Sequence, residues 1–125
     1  MHQPNINNRQ ILVVEDEEMN WFLLRDMIEL FGGIPIWAPS GAMATDIIIN
    51  NPSIDLVLVD LKLPFISGAE VAQSIKKIRP LLPVVAQTAF AEPEILSEAI
   101  AAGCDSYLLK PIGMNEFLIM LSEYF

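Results

Sequence analysis

Asp55-Leu56-Val57-Leu58-Val59-Asp60-Leu61-Lys62-Leu63-Pro64 reads as a buried strand that ends in a turn. Four consecutive apolar residues, two of them β-branched, lead to an acid, and Pro64 and Gly68 follow. A strand apolar on both faces belongs in a parallel sheet covered by helices on each side. In such sheets ligands bind beyond the carboxyl ends of the strands, near the point where strand order reverses. Asp60 stands at that end. The less favoured reading is that it merely starts a turn, and the remaining segments decide between the two.

Working outward, apolar runs alternate with helical patterns along the whole chain. Strands are expected at Ile11–Val14, Ile34–Trp37, Asp55–Asp60, Pro83–Thr88 and Asp105–Leu109. Pro35 places the second of these at a sheet edge. Helices are expected from Glu18 to Phe31, from Ser40 to about Asn50, over Ser67–Ile78 and Glu92–Ala102, and over Met114–Tyr124. Gly32-Gly33 and Gly103 supply left-handed ends, Ser40 a cap, and Pro93 a first turn. Five strands alternating with five helices define a doubly wound α/β domain with a parallel sheet. The simplest order is the flavodoxin-like 2-1-3-4-5. Residues 1–9 are expected to be a flexible arm, with His2 in it, and residues 10–125 the domain.

At 125 residues the chain suits one domain with a real core. Seven basic against sixteen acidic residues, a formal charge of -9, argue against direct nucleic-acid binding. The longest unbroken apolar run, Phe117–Leu121, is far short of the roughly 20 residues of a membrane span. A lone Cys104 excludes an internal disulfide and fits a reducing, cytoplasmic compartment.

In the expected strand order, Glu15 and Asp16 after the first strand meet Asp60 after the third. Thr88 ends the fourth strand and Lys110 follows the fifth. Clustered carboxylates repel and require protons or a cation. Oxygen ligands without His or Cys favour a hard ion, and Mg²⁺ binds through one or two carboxylates plus phosphate oxygens. Asp16 and Asp60 are assigned as direct ligands, Glu15 as a ligand directly or through water, and the Lys62 backbone carbonyl completes the shell. Beside such an ion an aspartate serves as nucleophile toward a phosphoryl group, with Lys110 and Thr88 contacting its oxygens.

Val13-Val14-Glu15-Asp16, Val59-Asp60-Leu61-Lys62-Leu63-Pro64 with Gly68, Thr88-Ala89 and Tyr107-Leu108-Leu109-Lys110-Pro111 together resemble the receiver domain of two-component response regulators. The resemblance implies that Asp60 accepts phosphate from a phosphohistidine with Mg²⁺ present. Such a receiver catalyses its own phosphorylation and dephosphorylation. Thr88 and Tyr107 would form the switch pair, acting on the face made by the fourth helix, fifth strand and last helix. It also implies a cis Lys110-Pro111 bond. Glu15-Asp16-Glu17-Glu18-Met19-Asn20 and Thr88-Ala89-Phe90-Ala91 look like receivers of hybrid sensor histidine kinases, whose parent chain would hold any kinase activity and any membrane anchor. A stand-alone response regulator is the alternative. Glu15 departs from the more usual Asp, and Lys62 and Phe90 occupy positions that tune hydrolysis in the family.

Asn20, Trp21, Phe22 and Leu23 are expected to dock a histidine kinase or histidine-phosphotransfer domain. Surplus apolar residues in the last helix suggest self-association through the switching face. A phosphatase with an aspartyl nucleophile is the less favoured reading. It would place a second acid two residues on, where this chain has Lys62.

Overall fold

The computed structural model describes residues 4–125; His2 lies outside them. The elements run β1 (Gln10–Val14), α1 (Glu18–Leu30), β2 (Ile34–Ala38), α2 (Gly41–Asn50), β3 (Ile54–Asp60), α3 (Gly68–Ile78), β4 (Val84–Thr88), α4 (Pro93–Ala101), β5 (Ser106–Leu109) and α5 (Met114–Tyr124). All strands are parallel, in the order β2-β1-β3-β4-β5. The expected architecture is the one observed, and the Pro35 strand is at the edge.

Period-two alternation divides the core. Leu12, Val14, Val57, Val59, Val84 and Ala86 face α2, α3 and α4. Ile11, Val13, Leu56, Leu58, Val85 and Leu108 face α1 and α5. Each fully buried aliphatic side chain contributes about 1.5–3 kcal/mol, and both faces of the central strands are dry. The polar ends of β1, β3 and β4 are therefore held by a rigid frame.

Local chemistry sets the helix ends. The Ser40 and Ser67 hydroxyls accept from the Met43 and Glu70 N–H groups, both at 3.2 Å. Gly32 closes α1 at φ +87°, a conformation that favours glycine. The arm is shorter than expected. Ile6 is fully buried between α1 and the sheet, and the Asn8 N–H donates to the Gly32 carbonyl at 3.0 Å. An isolated Ile between polar residues carries no periodicity, which is why residues 6–9 read as loose.

Candidate functional site

Continuing the alternation past the apolar cores places Glu15 two residues after Val13 and Asp60 two after Leu58, both on the α1/α5 side of the sheet. Both are buried, whereas Asp16 is exposed. One carboxylate oxygen from each of Glu15, Asp16 and Asp60 lies within 4.8 Å of the others. Lys110 comes in from the end of β5, its Nζ 2.6 Å from Asp60 Oδ2 and 3.4 Å from Glu15 Oε2. The Lys110-Pro111 bond is cis.

One backbone and one side-chain donor complete the arrangement. The Lys62 N–H donates to Asp60 Oδ1 at 2.9 Å, and the Trp37 indole donates to the Glu15 carbonyl at 2.7 Å. Glu15 is pushed up to about 7, first by burial and then by its hydrogen bond and repulsion with Asp60; Lys110 and Asn20 act the other way. The Lys110 ammonium is raised because its bonds to Asp60 and Glu15 outweigh its burial. An all-oxygen donor set with one exposed member suits a hard divalent ion such as Mg²⁺.

Thr88 is buried at the end of β4. Its hydroxyl accepts from the Phe90 N–H at 3.0 Å, so the loop beyond β4 holds it. It lines a cavity of about 330 Å³ with Lys62, Ser67, Phe90 and Ile95. Tyr107 is half exposed and lines clefts against both α4 and α5. Lys62 turns its ammonium over the Phe90 ring, 5.6 Å from the centroid, while Lys110 takes the Asp60 carboxylate.

The expected docking patch needs correction. Trp21 is buried and stacked on Trp37, with ring centroids 5.3 Å apart. It shares the core stripe of α1 with Leu24 and Ile28, at spacings of three and seven residues. Asn20 is half buried, with its amide donating to Gln87 Oε1 at 2.9 Å. Phe22 and Leu23 are exposed, with the Arg25 guanidinium 4.9 Å over the Phe22 ring. Met19, 78% exposed, extends this apolar surface toward the acids.

Two further residues touch the site. Trp37 anchors the Glu15 backbone, and Gln87 anchors Asn20. Trp37 resembles any strand aromatic in sequence. Gln87 was detectable as the one amide in the otherwise apolar run Val84-Val85-Ala86, but its face depends on register.

A family model described as the response regulator receiver domain matches residues 11–122. The polar-differentiation response regulator DivK of Brucella ovis is 36% identical over 118 residues, covering 93% of this chain and 95% of that protein. The CheY-like receiver domain protein of Methanospirillum hungatei JF-1 superposes with a TM-score of 0.86 at 26% identity, covering 94% of this chain and 93% of that one. The receiver domain of Saccharomyces cerevisiae Ssk1, crystallised with the histidine phosphotransfer protein Ypd1, superposes at 0.87 with 24% identity, covering 99% and 91%. Among the described residues no helix is long and apolar enough to cross a membrane.

Proposed function

The chain belongs to the response regulator receiver domain family, and from that membership we propose that Asp60 is its phosphoacceptor, taking a phosphoryl group from a phosphohistidine. The observation that carries this is the meeting of Glu15, Asp16 and Asp60 with the Lys110 ammonium, 2.6 Å from Asp60. A carboxylate oxygen of Asp60 forms the new O–P bond as the N–P bond of phosphohistidine breaks, and the freed imidazole nitrogen keeps the electron pair. Lys110, already at Asp60, is placed to hold a phosphoryl oxygen. Thr88 donates its hydroxyl once it leaves Phe90, and Tyr107 responds between α4 and α5. Mg²⁺ held by Glu15, Asp16, Asp60 and the Lys62 carbonyl would supply positive charge to the phosphoryl oxygens.

The likeness to DivK, which spans nearly all of that protein, supports a stand-alone response regulator more than the receiver of a hybrid kinase. Lys62, turned toward Phe90, gives no second acid for a phosphatase. The exposed Ile100, Tyr107, Leu109 and Ile119 support a signalling or self-association face over α4, β5 and α5.

The donor is a histidine kinase or a histidine-phosphotransfer domain, and Phe22, Leu23 and Met19 are its docking residues. Phe22→Ala is expected to slow transfer from such a phosphorylated domain about tenfold, as loss of an aromatic anchor does. Labelling by a small acyl-phosphate donor should be unchanged. Equal rates for wild type and variant with the protein donor would remove Phe22 from the docking surface.

A further inference from the structure

Gln87 is fully buried, and its Nε2 finds no hydrogen-bond partner among the described residues. Such a donor is costly to leave idle in a native interior. Its place in the sheet is specific. Asp60 pairs with Gln87, and Gln87 with Leu108, while Leu58, Val85 and Leu108 all face α1 and α5. Two-residue alternation then puts Gln87 on that same face, next to Asp60 on the adjoining strand. Lys110, two residues beyond Leu108, reaches across this row to Asp60 and Glu15. The Gln87 carbonyl oxygen is already committed to the Asn20 amide at 2.9 Å, and Asn20 stands beside the Glu15 side chain, whose charged form it favours.

We propose that Gln87 is a positioning residue of the cation site. Its Oε1 fixes Asn20 beside Glu15, and its idle Nε2 hydrogens are kept for an oxygen that enters the pocket with the cation, a coordinated water or a carboxylate oxygen released by Lys110. The inference rests on the reading of Glu15, Asp16 and Asp60 as a Mg²⁺ site. It explains why an amide stands in a strand whose preceding residues are all apolar: its donor hydrogens serve the cation site.

The test uses the full chain, with Gln87→Met as a variant of similar length that removes both amide functions without adding charge. MgCl₂ titrated by calorimetry is expected to bind the variant about tenfold more weakly, the lower end of what outer partners of a metal site contribute. Without divalent ions the variant should melt at the same temperature as wild type or higher, because the idle donor is gone. Two results overturn the proposal: equal Mg²⁺ affinity in the two proteins, or a variant that melts lower without ions, which would make Gln87 an ordinary structural amide. A wild type that takes up no Mg²⁺ removes the cation site itself, and this proposal with it.

Discussion

Lys110→Met is expected to cost about 3 kcal/mol of stability at pH 8 in the absence of divalent ions, in the range for breaking a buried ion pair, and distinctly less at pH 5. Glu15 and Asp60 are both buried, and among the described residues the one ammonium that bonds them is Lys110. Glu15 holds its proton to about 7 in the fold against 4.5 for an ordinary glutamate. The folded chain therefore binds this proton more tightly than the unfolded one. That contribution to stability falls as pH rises from about 4.5 to about 7. At pH 5 the wild-type Glu15 is already neutral, so the variant loses only the Asp60 pair. At pH 8 the wild-type Glu15 is charged and leans on Lys110, so the variant loses both. The raised Lys110 ammonium is fully charged at either pH and does not disturb the comparison. Urea unfolding at the two pH values measures it, and equal losses would mean that Lys110 does not neutralise Glu15.

Gly68→Ala is expected to destabilise the fold by about 3 kcal/mol, the upper part of the range for overpacking, and to displace Asp60. Gly68 opens α3 immediately after the Ser67 cap, and its N–H donates to the Leu61 carbonyl at 3.0 Å. That bond folds the β3–α3 loop back on itself. A methyl group on Gly68 would run into the Asp60 carbonyl oxygen and stand 2.6 Å from Leu61 Cα. These are backbone atoms and cannot rotate aside, so the loop carrying Asp60 and Lys62 must move. Gly41→Ala is the internal comparison. There the added methyl meets the Val71 and Ile66 side-chain methyls at 2.6 and 2.8 Å, which can adjust, and a smaller loss is expected. Denaturation of both variants checks the order; equal losses would mean that the loop is not held by this approach.

These two residues show how far the sequence could be read unaided. Gly68 was visible as a turn residue after Pro64, but its reason, a close backbone approach to Asp60, appears only in three dimensions. The strand order and the meeting of Glu15, Asp16, Asp60 and Lys110 were legible because two-residue alternation and parallel topology leave few arrangements. Reading Asn20–Leu23 as a continuous patch misplaces Trp21, because the helical period turns it inward with Leu24. The direction of Lys62 was not legible, since a flexible cation chooses between a carboxylate and an aromatic ring by packing. Ile6 had no pattern around it to reveal its burial. Gln87 needed the pairing register between β3 and β4, which alternation along one strand cannot supply.

The buried Asp60, set among Glu15, Asp16 and Lys110, is proposed as a phosphoryl acceptor that works with a divalent ion. Intact-mass spectrometry after incubation with a small acyl-phosphate donor tests it, with Mg²⁺ or with a chelator, in wild type and Asp60→Asn. A single added phosphoryl group is expected in wild type with Mg²⁺, little with chelator, and none on Asp60→Asn. Equal labelling of Asp60→Asn, or no labelling of wild type with Mg²⁺ present, would contradict it.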